Sequence, residues 1–290
     1  MRRLVGIATL LAVGAAALVV AELSPGHTAL AGTISYSSFR SNSLGGTDHY
    51  SVYLPADYAA GSTRYPVIYF LHGLPASATA YRSIQPVVQA LEQTGRRAIV
   101  IGVQGARNGD TDPEWLDWGP GRNWETATAK ELVKVVDSRY RTIAGRSGRL
   151  LLGISGGGYG ATLIGLHNPG TYSVIESWSG YFHPTNPAGT APLDLGSAEA
   201  NDWASAHTLL PRLKQFLDGY GGNGYFAFYV GTNDSLFRAE NERFYAEIRK
   251  AGIQRVVFRL YDGAHGWSLW SQHAAAWLGA GLAGAAQPTG

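Results

Sequence analysis

Gly153-Ile154-Ser155-Gly156-Gly157 sets one serine between glycines in the pattern G-x-S-x-G. A serine hydroxyl is a weak nucleophile until a base takes its proton and a carboxylate orients that base. In a chain with 38 glycines the five-residue pattern needs support from its surroundings. Leu150-Leu151-Leu152 before it reads as a buried strand, and Gly157-Gly158-Tyr159-Gly160-Ala161-Thr162-Leu163 after it opens a helix. A sharp strand-to-helix turn lifts the hydroxyl clear of a sheet, and small neighbours let the turn close. The helix N-terminus beneath favours developing negative charge. The chemistry implied is nucleophilic attack on an acyl carbon.

Five histidines follow Ser155: His167, His183, His207, His265 and His273. Of these, only His265 lies in a short loop after the last strand-like run, within Asp262-Gly263-Ala264-His265-Gly266-Trp267. His273 falls in the closing helix and is expected to pack there. For the acid, the apolar run 225–230 leads directly into Gly231-Thr232-Asn233-Asp234-Ser235, making Asp234 the first choice. Glu240 is held in reserve, because acids are expected in a first helical turn for dipole reasons alone. Asp262 is a distant third. His72-Gly73-Leu74 follows the strand-like run 66–71. His72 precedes the nucleophile and is not read as the base. The backbone N–H of Leu74, with that of Gly156, is read instead as an oxyanion hole, a simple turn being the alternative.

The elements that must position these groups alternate along the chain. Runs 33–39 and 50–54 are short and alternating, whereas 66–71, 98–103, 150–154, 173–178, 225–230 and 255–261 are more continuously apolar. Helical patterns occupy 127–140, 157–166, 240–250 and 267–278. This alternation implies a mainly parallel central sheet with helices on both faces. With the chain order serine, acid, histidine, that sheet is expected to have the α/β-hydrolase fold. Two stretches, 108–124 and 180–200, are too long and too rich in Gly, Pro and Asp to fit the alternation, and such loops tend to be functional. The first carries Trp115, Trp118 and Trp124, rings suited to stacking on a sugar or aryl-ester substrate or simply to packing the loop down.

Composition narrows the class. Of 290 residues, 45% are hydrophobic and 15% charged, which suits a folded body. A net charge of +2 without a basic run gives no footprint for nucleic acid. The absence of cysteine excludes disulfides, thiolate catalysis and cysteine-ligated zinc. No ligand cluster for a metal or cofactor is visible in the sequence, and none is expected. Arg2 and Arg3, an uncharged run over 4–21, and Ala29-Leu30-Ala31 before Gly32 have the form of a signal peptide. Residues 1–31 are therefore expected to be removed on export, leaving 32–290 as a single secreted domain without stable membrane insertion. A retained membrane anchor is the alternative.

Phe70-Leu71-His72-Gly73-Leu74, the segment Gly153–Gly160, Gly231-Thr232-Asn233-Asp234 and Gly263-Ala264-His265-Gly266-Trp267 together resemble the "putative esterase" family of α/β-hydrolases. That family contains feruloyl esterases, esterase D-type enzymes and actinobacterial mycolyltransferases. The resemblance covers nearly the whole chain after residue 31. It implies a triad of Ser155, Asp234 and His265, with Leu74 and Gly156 at the oxyanion hole. Mycolyltransferases carry their acid as a glutamate further along, which keeps Glu240 in reserve, but the Gly-Thr-Asn-Asp pattern is nearer the feruloyl esterases. The expected activity is a serine carboxylesterase acting on a small-molecule or glycan-linked ester. Its rivals are an acyltransferase on cell-envelope glycans and a catalytically silent binding protein.

Overall fold

All eight strand-like runs become strands of one sheet in the computed structural model, which describes residues 31–110 and 112–289. The expected signal segment, apart from Ala31, lies outside the described residues. The strands are β1 (Thr33–Ser41), β2 (Gly46–Leu54), β3 (Val67–Leu71), β4 (Ile99–Val103), β5 (Arg149–Ile154), β6 (Val174–Trp178), β7 (Tyr225–Gly231) and β8 (Val256–Tyr261). Their order is β1-β2-β4-β3-β5-β6-β7-β8. β2 runs antiparallel to both β1 and β4, and every later neighbour is parallel.

The central strands are apolar throughout because both faces are covered. In β3, Ile68 and Phe70 face a core built with α1 (Gln85–Gln93) and the closing helix, while Val67, Tyr69 and Leu71 face the opposite one. That second face is covered by α2, which runs as Trp124–Thr126, a π-helical segment Ala127–Leu132 and Val133–Arg139, and by α3 (Gly156–His167). After the short α4 (Ala198–Trp203), α5 (Leu210–Asp218) and α6 (Arg238–Lys250) extend the cover around Phe226 and Phe228. The closing helix is α7 (Trp267–Gly284). Among the described residues no helix is long and apolar enough to cross a membrane.

The pattern departs from expectation in two respects. The run 255–261 resembles the central strands in sequence, but β8 is an edge strand and none of its residues is fully buried. Three helices, α1, α4 and α5, also lie outside the predicted set. α1 and α5 each carry a proline in the first turn, where its missing N–H costs nothing. β5 sits at the centre of the sheet, and its carboxyl end, with those of β3, β7 and β8, carries the loops that hold the predicted site.

Candidate active site

Ser155 stands between β5 and α3 with φ +51° and ψ −122°. A serine in that region carries about 1–3 kcal/mol of strain, which its surroundings must hold. Two glycines explain how the turn fits. A Cβ on Gly153 would lie 1.9 Å from the Gly157 carbonyl oxygen, and one on Gly157 would lie 2.0 Å from that of Leu71. Only glycine is possible at either position. The Ser155 N–H donates to Trp178 O at 2.9 Å, fastening the turn to β6.

His265 Nε2 lies 2.9 Å from Ser155 Oγ, and its Nδ1 lies 2.7 Å from Asp234 Oδ2. The three side chains thus form one hydrogen-bonded chain across three loops, with Asp234 2% exposed. Asp234 is itself held: Oδ1 accepts from the N–H groups of Leu236 at 3.1 Å and Phe237 at 3.0 Å. The His265 ring stands edge-on to Phe237 and Trp270, at 5.2 Å from each. Backbone bonds from Thr232 N to Tyr261 O and from Asn233 N to Gly263 O tie the two loops together. Neither reserve acid meets His265. Asp262 accepts from Thr232 and Asn233 side chains, and Glu240 is engaged elsewhere. His273 stacks on Tyr261 within α7, the packing role expected of it.

The loop after β3 is fixed by His72. Burial pushes this imidazole down to about 4, keeping it neutral. Nδ1–H donates to Gly73 O at 2.9 Å, while Nε2 accepts from Gly105 N–H at 3.2 Å. Leu74 and Gly156 meet here: a Cβ on Gly156 would lie 3.2 Å from Leu74 Cγ and 3.0 Å from the Tyr181 hydroxyl. The Gly156 amide, first in α3, has no acceptor within its helix. Tyr181 escaped the sequence reading because it lies in the long loop after β6. Its hydroxyl donates to Glu114, whose carboxylate also accepts from Thr185. Burial, reinforced by Asp112, pushes Glu114 up to about 8.

The three tryptophans separate. Trp115 is 4% exposed and wedged against His72 and Gly160, so its ring packs the loop onto the body and offers no face to a ligand. Trp118 and Trp124 border a cavity of about 330 Å³ between the 108–124 loop and Thr185, Pro187 and Leu193. Trp124 is almost wholly buried, so Trp118 is the more accessible ring of the two.

A second polar cluster assembles beside the first. Glu240 Oε1 lies 2.7 Å from His183 Nδ1 and 2.9 Å from His207 Nε2. Burial pushes Glu240 up, but hydrogen bonds from the two histidines outweigh it and hold the carboxyl well below its ordinary value. The sequence shows no ligand cluster because these residues come from three separate segments.

A strand order of this kind, with the serine on a tight turn after the central strand, defines the α/β-hydrolase fold. Residues 41–278 match the family described as "Putative esterase", and the chain belongs to that family. An esterase of Mycobacterium tuberculosis is 26% identical over 242 residues, 75% of this chain and 52% of its own. The chain therefore spans about half the length of the curated relatives it matches. Among solved structures, an S-formylglutathione hydrolase from Agrobacterium tumefaciens matches with a TM-score of 0.71 at 20% identity, over 89% of this chain and 98% of its own. A ferulic acid esterase gives 0.69 at 22%, over 87% and 99%. MPT51 of Mycobacterium tuberculosis gives 0.66 at 17%, over 87% and 99%. Likenesses at such identities carry the fold alone. The family match places the chain in the esterase family.

Proposed function

We propose that this chain is an exported serine carboxylesterase that works through an acyl-enzyme on Ser155. The observation that carries the reading is the continuous hydrogen-bonded chain from Ser155 Oγ through His265 to Asp234. His265 Nε2 takes the hydroxyl proton as Oγ attacks the ester carbonyl. Asp234 holds the imidazole with Nδ1–H towards itself and stabilises the imidazolium that forms. The developing oxyanion accepts from the Leu74 and Gly156 amides. His265 then gives its proton to the leaving alcohol. Water, deprotonated by the same ring, attacks the acyl-enzyme and releases the free acid. The aromatic border at Trp118 favours a bulky aryl or sugar-linked ester.

A fluorophosphonate probe tests the first step. It should label the wild-type protein at Ser155 and leave Ser155→Ala unlabelled. Labelling of a folded Ser155→Ala protein would remove Ser155 as nucleophile. Hydrolysis and transfer share every step up to the acyl-enzyme, so the acceptor must be tested separately. With a disaccharide at millimolar concentration, free acid should dominate; predominant acylated sugar would make the protein a transferase.

Export after cleavage at Ala31 is supported by the start of β1. The Gly32 N–H lies 3.3 Å from Glu92 Oε1, so the ammonium created there by cleavage would sit beside a carboxylate. N-terminal sequencing of protein from the culture medium should begin at or near Gly32. An intact Met1 on a membrane-bound product would overturn that.

A further inference from the structure

His183, His207 and Glu240 take no part in the chemistry above, yet they converge on one point from the loop after β6, the turn before α5 and the first turns of α6. One ring nitrogen of each histidine and a carboxylate oxygen of Glu240 all lie within 4.8 Å of one another. We propose that they bind a single divalent cation of the zinc class, independently of the esterase reaction.

Donor chemistry selects the ion. Two imidazoles and one carboxylate suit zinc and its neighbours, whereas calcium and magnesium prefer all-oxygen sites. Donors bound at ~2.0–2.1 Å around a tetrahedral ion stand roughly 3.3 Å apart. Glu240 Oε1 is already 2.7 Å and 2.9 Å from the two nitrogens, so each need open only slightly to admit an ion. His183 has room to adjust. Its side chain is 26% exposed, against 12% for the other two ligands. It also borders a cavity of about 460 Å³ that reaches Asp194, Asp202 and His207. Water from that cavity can supply the fourth ligand, and its wall carries the two aspartates against the single positive charge of Arg243.

An independent feature is the orientation of His207. Its Nδ1 lies 2.5 Å from Glu247 Oε2, and Arg243 Nε holds the other Glu247 oxygen at 2.9 Å. A carboxylate on the far nitrogen is the arrangement that fixes the ring of a metal-ligating histidine and raises its basicity. Glu247 lies at Nδ1 of His207 and Glu240 at Nε2. A cation bound at Nε2 displaces any proton there to solvent, while Nδ1–H keeps its hydrogen bond to Glu247. No redox change is involved.

The ion would fasten the loop after β6 to α6. Phe237, three residues before Glu240, packs against His265 and Tyr181. The site therefore braces one wall of the active site without touching Ser155. Its consequence is read in stability and metal content.

The test uses untagged protein, so that no added histidines compete. After chelation and gel filtration, the protein is titrated with Zn²⁺ alone, and bound metal and thermal midpoint are measured. The expected result is one Zn²⁺ per chain, with a midpoint raised by several degrees at a hundredfold excess over Kd. His183→Ala, a change at the most exposed ligand, should weaken binding at least tenfold. Glu247→Gln should weaken it ~10–100-fold through His207. Glu242→Gln, on the same helix but paired outward to Arg238, should bind as the wild type does. Calcium in excess should not displace the zinc. Less than half an equivalent bound, or undiminished binding by both His183→Ala and Glu247→Gln, overturns the proposal.

Discussion

His265 and His207 are built alike and end differently. Each has a carboxylate on Nδ1, Asp234 in one case and Glu247 in the other. Each stands edge-on to a phenylalanine at 5.2 Å, Phe237 for His265 and Phe244 for His207. What meets Nε2 separates them: the Ser155 hydroxyl on one side, the Glu240 carboxylate on the other. A hydroxyl has a proton to give and becomes a nucleophile on giving it. Glu240, held ionised by its two histidines, has none to give, so that end can only retain a proton or exchange it for a cation. An oriented histidine thus has no fixed function. The group opposite its free nitrogen decides between proton transfer and ion holding.

Removing the orienting carboxylate is the harshest test of that contrast. Asp234→Asn should lower kcat on p-nitrophenyl acetate about 10⁴-fold, because the imidazole then adopts the wrong tautomer. Glu240→Gln should lower it less than tenfold, its cost falling on stability instead. The reverse ranking in two folded variants would move the orienting acid to Glu240 and the reading towards the transferases.

Glu176 shows what a buried carboxylate does without a histidine. It lies on β6, 2% exposed, accepting Trp178 Nε1–H at Oε2, while Oε1 has no partner among the described residues. Burial pushes it up to about 8. Between the unfolded value near 4.3 and that figure, the folded protein keeps a proton that the unfolded chain loses. Its contribution to stability therefore falls as pH rises through this window, by at most ~1.4 kcal/mol per pH unit. Glu176→Gln cannot ionise, so its stability relative to wild type should improve between pH 5 and pH 7.5 in urea unfolding. A constant difference across that range would mean Glu176 is already ionised at pH 5.

Much of this was legible in the sequence, for physical reasons. Strands covered on both faces must be continuously apolar, so β3 to β7 declare themselves. The turn at Ser155 admits only glycine at positions 153 and 157, so the motif is the geometry written out. Asp234 and His265 each follow a strand closely, and strand ends converge at one edge of a parallel sheet. The zinc-class cluster had no such signature. Glu240 lies 57 residues from His183 and 33 from His207, and nothing local links them. The tryptophan loop was legible as a loop but not in its facing. Glu114 and Trp115 have φ values of +49° and +58°, a left-handed turn that swings the Trp115 ring inward. Nothing in their residue types announces that turn.

That inward swing leaves Trp118 to carry whatever aromatic recognition the loop provides. Its indole Nε1–H donates to Pro113 O at 2.7 Å, and the ring, partly buried against the core, borders the cavity. A ring held there can stack on an aryl or sugar group with little loss of side-chain freedom on binding. Trp118→Ala should therefore raise KM several-fold for feruloyl or sugar-linked esters while sparing kcat, since the ring contacts ground state and transition state alike. For p-nitrophenyl acetate, which carries no feruloyl or sugar group, both constants should hold. Trp115→Ala serves as the contrast: by emptying space beside His72 and Gly160 it should loosen the loop after β3 and lower kcat for small and bulky esters together. If Trp118→Ala changes both substrate classes equally, the ring acts on the fold of the loop, and the bulky group must be held elsewhere.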